Sequence, residues 1–221
     1  MKNLILISFL LLGIVSADGQ STASNTDPIR IGIKIAGGAV VTRPEISYLG
    51  NNTDNYLSMV ELSHATPQTS FGLFAQKKFG WLFAEANVLY SNYGMVFNVA
   101  DYSGDKQDLH QMKERFSYVD LQVMGGLYSH GFRISVGPVM HILSGHSSEL
   151  AVLENYNEKM RKISYGFSGA IGYNLSRFSF DLKYDKAFRT VGDHIYYGYK
   201  KSPFLETPDA ITFSIGYAII K

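Results

Sequence analysis

From residue 29 onward, apolar and polar residues alternate with a period of two along most of the chain. The clearest stretch is residues 178–185, with Phe178, Phe180, Leu182 and Tyr184 on one face and Ser179, Asp181, Lys183 and Asp185 on the other. Successive side chains on a strand point to opposite faces, so this period predicts a β-strand with two unlike environments. Residues 163–175 and 211–219 repeat the pattern with Ile, Tyr, Phe and Leu against Ser, Gly, Ala, Asn and Thr. Residues 132–141 set Phe132, Ile134, Val136 and Met140 against Arg133, Ser135, Gly137 and His141. Similar runs cover 29–42, 69–79, 82–97 and 114–128, which makes eight strands.

The connections alternate in length. Tight turns are expected near Gly80-Trp81, Ser129-His130-Gly131 and Ser176-Arg177. Long polar segments, 43–68, 98–113, 144–162 and 189–209, join the other pairs. Hairpin loops usually have 2–5 residues, so long loops on every second connection point to an up-and-down barrel with all of them at one end. The polar faces carry small residues (Gly32, Gly38, Ser135, Gly137, Ser164, Gly166, Ser168, Ser214, Gly216) rather than the Lys, Glu and Gln of a watered surface. An eight-stranded barrel encloses room only for side chains, so small residues suit its interior. Aromatic residues at strand ends (Tyr90, Phe97, Phe132, Tyr173, Tyr217) suit interfacial girdles on the apolar face. The expected fold is therefore all-β: an eight-stranded antiparallel up-and-down transmembrane β-barrel with short periplasmic turns and long outer loops. A soluble periplasmic ligand-binding barrel, with the apolar face inward, is the alternative.

The N-terminus fits export. Lys2 precedes an apolar run over 4–15, and Val15-Ser16-Ala17 is a small-residue cleavage site. The run is well short of the ~20 residues a helix needs to span a bilayer. Residues 1–17 read as a signal peptide, 18–28 as a polar leader and 29–221 as the barrel domain. Removing Lys2 with the signal leaves a neutral chain. With a formal charge of +1 over 221 residues and no basic block, no nucleic-acid partner is expected. The absence of Cys rules out disulfides, thiolate chemistry and a lipid-modified cysteine.

Several segments together resemble a known family. "IRIGIKIAGG" looks like the first strand of PorT-like outer-membrane β-barrels of Bacteroidetes, and "FGLFAQKKFGWLFAEANVLYSNYG" like their second hairpin. "YVDLQVMGGLY", "ISVGPVMHILSG" and "YGFSGAIGYNLSRFSFDLKYDKAF" resemble the fourth, fifth, and sixth and seventh strands. The resemblance covers nearly the whole mature chain. It implies an outer-membrane location, lipid contact and, in some members, accessory roles in type IX secretion. Ser214, Gly216 and Ile219 match the C-terminal strand read by barrel-assembly machinery, while Lys221 stands where an aromatic is usual.

With the small and polar face inward, the lumen would hold Arg30, Lys34, Lys78, Glu85, Asp120, Arg133, Asp181, Lys183 and Asp185, with Gln76, Asn87, Gln122, His141 and Asn174 among them. Mixed signs in a confined space predict an ion-pair network that plugs the barrel, since buried charges need partners. None of the six His falls in a metal-ligating spacing, and no metal or cofactor is expected. His146, Ser148 and Glu149 are the weak catalytic candidates: a Ser activated by His with an acidic orienter is acyl-transfer logic, and some outer-membrane lipid A deacylases carry a His-x-Ser pair. Residues 150–160 have apolar residues at helical spacing and predict a short helix over the barrel mouth. Tyr196, Tyr197, Tyr199 and Phe204, beside Lys200 and Lys201, suit contact with a protein or glycan partner. The expected function is that of a non-enzymatic barrel whose outer loops contact a partner in secretion or envelope maintenance; a lipid-modifying enzyme is the alternative.

Overall fold

The computed structural model describes residues 28–42, 46–50, 57–103, 106–152, 156–188, 192–197, 200–202 and 209–221. Residues 1–27, which hold the expected signal peptide and the expected leader up to Pro28, lie outside the described residues. The strands are β1 (Arg30–Val41), β2 (Ile46–Gly50), β3 (Leu57–Ala65), β4 (Gln68–Phe79), β5 (Leu82–Ser103), β6 (Lys106–Ser129), β7 (Phe132–Ser148), β8 (Tyr156–Met160), β9 (Ile163–Leu175), β10 (Phe178–Ala187), β11 (Gly192–Tyr197), β12 (Lys200–Ser202) and β13 (Asp209–Ile220). Eight of them form a closed ring in the order β1, β4, β5, β6, β7, β9, β10, β13, and β13 returns to β1 through pairs such as Ile35↔Ile215. Every pairing in the ring is antiparallel. Closure leaves no strand edge unpaired inside the ring, which is the condition for placing backbone in lipid.

These eight are the strands that the alternation predicts. Their inner ends are joined by two-residue turns. At His130-Gly131 both residues have positive φ, 49° and 91°, the geometry whose twist matches a right-handed hairpin. The faces sort as a membrane requires. Ile31, Ile33, Ile35, Phe71, Leu73, Ile134, Val136, Ile171, Leu182 and Phe213 point outward and are exposed, while Lys34, Gln76, Glu85, Asp120, Gln122, Arg133, Asp181 and Ser214 are buried inside. This arrangement rules out the soluble reading, because a water-facing barrel would leave that apolar belt unsatisfied. Aromatic pairs mark the two rims of the belt. Phe71–Tyr90 (centroids 5.6 Å apart) lies toward the loops, and Phe132–Tyr173 (4.8 Å) and Phe178–Tyr217 (5.3 Å) lie toward the turns.

Above the loop-side rim the structure departs from the expected loops. Strands β5 and β6 continue as one hairpin with pairs running from Leu82↔Leu127 to Ser103↔Lys106. Segment 43–68 contributes β2 and β3, and β3 adds to β5 where β4 has ended. The stretch 144–148, expected as loop, extends β7 alongside β6. Segments 144–162 and 189–209 supply β8, β11 and β12, which form a separate three-stranded sheet. The helix expected over 150–160 does not form among the described residues of that segment. Only a 3-10 turn forms at Glu149–Val152, and Tyr156–Met160 is strand β8. The reason is pairing: β11 offers these residues a ladder partner, and a segment this short gains little from helix formation alone.

The upper wall has its own hydrophobic core, made by Val60, Leu62, Met95, Phe97, Val99, Phe116, Tyr118 and Leu150. Phe97, expected in the outer girdle, belongs here and is buried, because it shares its parity with inward-facing Met95 and Val99. Water surrounds this part of the wall, so its apolar residues turn inward, whereas lipid draws them outward below.

The sided burial makes a direct prediction. Leu182→Arg, in the middle of the outward face of β10, is expected to cost about 2–4 kcal/mol. Urea titration of the barrel in phospholipid vesicles measures it, and unchanged stability would show that this face does not meet lipid.

Candidate functional site

The lumen is organised around four charges. Lys34 Nζ lies 2.5 Å from Glu85 Oε1 and 3.3 Å from Asp181 Oδ2. Arg133 Nη1 lies 2.7 Å from Glu85 Oε2, and Nη2 pairs with Asp181 Oδ1. Each charge therefore touches both charges of opposite sign, and the quartet is neutral. Its members stand on β1, β5, β7 and β10, every second strand of the ring, so signs alternate around the barrel. Arg133 is 3% exposed and Glu85 6%. At that depth unpaired charges would be costly, and here each has two partners.

Neighbouring residues complete the ring. Asn87 Nδ2 donates to Glu85 Oε1 (3.0 Å), Gln76 Nε2 donates to Glu85 Oε2 (3.3 Å), and Ser214 Oγ donates to Asp181 Oδ2 (3.4 Å). The rings of Phe74 and Phe83 lie 5.4 Å and 5.5 Å from the Lys34 and Arg133 cations. Gly172 is what lets Arg133 and Asp181 meet. It is the register partner of both, and a Cβ there would collide with the Asp181 carboxylate.

Two further layers flank the ring. Toward the turns, Arg30 Nη1 donates to Gln76 Oε1 (3.2 Å) and Nη2 to the Ser176 carbonyl (3.1 Å), Asn174 Nδ2 donates to the same Gln76 oxygen (3.1 Å), and Lys78 Nζ sits 4.6 Å from the centre of the Tyr128 ring. Toward the loops, Asp120 pairs with His141 Nδ1 (2.7 Å) and accepts from Ser91 Oγ, which is 2.8 Å from Ser70 Oγ. Asp185 accepts from Lys183 Nζ (2.8 Å) and Ser168 Oγ. The spaces left beside the ring and in the outer layer are about 20 Å³ and 40 Å³, room for isolated waters.

A closed eight-stranded ring with an apolar exterior and a charged, self-paired interior is the design of an outer-membrane barrel. The family described as Outer membrane protein beta-barrel domain matches residues 19–191, well over half the sequence. The chain belongs to that family. Among curated proteins none matches it. The final barrel strand, β13, lies beyond the matched residues and still closes the ring against β1.

In this outer-membrane barrel all nine charged residues expected in the lumen lie on the inward face, but they form three layers rather than one network. Lys34, Glu85, Arg133 and Asp181 make the central ring. Arg30 and Lys78 occupy the mouth on the turn side, and Asp120, Lys183 and Asp185 the layer on the loop side. The inward aromatics Phe74 and Phe83 and the hydroxyls of Ser70 and Ser91 were not singled out from the sequence, although strand parity places all four inward.

The weak catalytic candidates separate. Ser148 Oγ donates to Glu114 Oε1 (2.8 Å), and His146 Nε2 lies 3.9 Å from the same oxygen, with its ring 5.0 Å from Phe116. Glu149 is not part of this group, because its carboxylate accepts the Lys113 backbone N–H (2.9 Å). The acid that gathers His146 and Ser148 is thus Glu114, which is fully buried on β6. Its even parity with Phe116, Tyr118 and Asp120 was the available signal. All three residues lie on or just past strand ends rather than in an open loop. The Ser148 proton is directed at the Glu114 carboxylate rather than at the His146 imidazole. Tyr196 and Tyr197 fall on β11, and Tyr199 and Phe204 lie outside the described residues. His64 and His110 are exposed, and no group of metal-ligating residues occurs among the described residues.

The ring is open to a thermodynamic test. Arg133→Met leaves two buried carboxylates with one cation and is expected to cost about 3–5 kcal/mol. Adding Asp181→Leu restores neutrality around Lys34 and Glu85. The double variant is expected to be more stable than the summed single losses, a coupling measured as a double-mutant cycle in urea.

Proposed function

We propose that this protein is a non-enzymatic, non-conducting barrel that anchors a rigid platform above the outer leaflet for contact with a protein partner. The observation that carries this reading is the division of the structure into two parts. The membrane part spends its interior on a self-neutralising ring, whereas the part above the membrane has a hydrophobic core of its own. Eight strands provide too narrow a lumen for a water channel, and the ring fills its waist. Flexible loops would need no such core; a preformed surface binds at a lower entropic cost. The segment with Tyr196 and Tyr197, backed by β8, is the proposed contact surface, and its tyrosines suit a protein interface. The resemblance to PorT-like barrels favours a partner in the outer membrane that serves secretion.

Two measurements test this. In planar bilayers the purified barrel is expected to show no conductance steps, and stable ion-conducting steps would overturn the closed-lumen reading. Cross-linking in intact cells through a photoreactive residue at position 196 is expected to trap one outer-membrane protein in constant stoichiometry. Recovery of the barrel alone, with the probe shown to be incorporated, would count against a partner.

A further inference from the structure

A polar recess opens on the outside of the wall where the ladder along β5 passes from β4 to β3. Pro67 has no N–H to give to the ladder. Thr66 closes the gap instead: its N–H donates to the Gly94 carbonyl (2.8 Å), and its Oγ1 accepts the Gly94 N–H (2.7 Å). Gly94 shapes the floor, since a Cβ there would stand 2.9 Å from the Glu114 carbonyl and 3.2 Å from Thr66 Oγ1. Three outward rows cross the recess. Thr69–Asn92–Ser117 comes first, directly beyond the Phe71–Tyr90–Val119 row of the lipid belt. Gly94–Arg115 follows, and then His64–Val96–Lys113.

We propose that this recess binds the phosphoryl headgroup of an outer-leaflet lipid whose acyl chains lie down the Phe71 and Tyr90 wall. Height is the first argument: the recess begins one residue row above the loop-side aromatic rim, where headgroups replace acyl chains. Charge is the second. Lys113 and Arg115 are both exposed on its outward face, and an arginine fork matches phosphate geometry. The one carboxylate lining it, Glu114, points to the opposite face of the sheet, where Ser148 donates to it. Glu149, which accepts the Lys113 amide, and Glu61, which stands opposite Asn98, are not among the residues that line the recess. This site is independent of the protein-partner reading.

The test is native mass spectrometry of the full barrel after reconstitution in phosphatidylcholine bilayers doped with phosphorylated lipid A or with its dephosphorylated form. Retention of the phosphorylated form alone is expected, and retention should fall as salt is raised. Lys113→Gln with Arg115→Gln is expected to lower retention roughly 30-fold, on about 1 kcal/mol for each cation at an anionic surface. Arg115→Lys, which keeps charge but loses the fork, is expected to fall between. Lys77→Gln at the opposite rim serves as the control and should leave retention unchanged. A heat-shifted gel band checks that each variant is folded. Equal retention of both lipid forms, or retention indifferent to salt and to the double variant, would overturn the proposal. Saturable binding of inorganic phosphate with no preference for the phosphorylated lipid would assign the recess to a free anion instead and overturn it equally.

Discussion

The alternating ring of Lys34, Glu85, Arg133 and Asp181 is the interaction on which the rest of the barrel depends. Lipid outside forces the apolar face outward, so the interior must be polar, and eight strands leave that interior no bulk water to solvate charge. A pair of charges would satisfy one contact each. The closed ring gives every charge two opposite neighbours and every carboxylate oxygen a cation. Because the members come from every second strand, the ring also fixes register across the whole cylinder. A one-residue slip of β1, β5, β7 or β10 would carry a charge from the lumen to the lipid. Glycine completes the arrangement at two inward positions. Gly172 stands between Arg133 and Asp181, and Gly216 leaves the space into which the Lys34 side chain and the Phe74 ring extend.

The same strands serve two solvents. Along β5, inward positions run from Glu85, Asn87 and Ser91 to Met95, Phe97 and Val99 without a change of parity. What changes is the medium outside. Where lipid surrounds the wall, apolar residues gain by facing it; where water surrounds it, they gain by turning away. The crossover falls near Tyr90 to Gly94, at the level where Pro67 interrupts the ladder and the recess opens. Lumen chemistry, the upper core and the recess are thus three consequences of one long hairpin passing through the membrane surface.

Much of the barrel was legible in the sequence because its physics is local. A period of two, turns of two residues and the choice of small or polar residues on one face follow from each strand alone. They were enough to place Lys34, Glu85, Arg133 and Asp181 inside. The upper wall was less legible because its segments look like polar loops. Val60 and Leu62, or Met95 and Phe97, become a core only once β3 lies beside β5. Residues 150–160 show the same limit: apolar spacing suggested a helix, and a ladder partner some 35 residues away in β11 made a strand.

By itself, then, the sequence determined the number of strands in the barrel ring, their antiparallel order and the face that the charged side chains of the lumen take, because alternation and turn length are properties of neighbouring residues. Only the tertiary structure decided which charge meets which. Lys34 reaches Asp181 across 147 positions and Arg133 reaches Glu85 across 48, distances at which no spacing rule operates. It also decided that Glu114, not Glu149, gathers His146 and Ser148, since strand stagger sets that meeting and adjacent positions in the chain do not. The physical reason is that partner choice inside a barrel follows from closure, and closure exists only when the last strand has found the first.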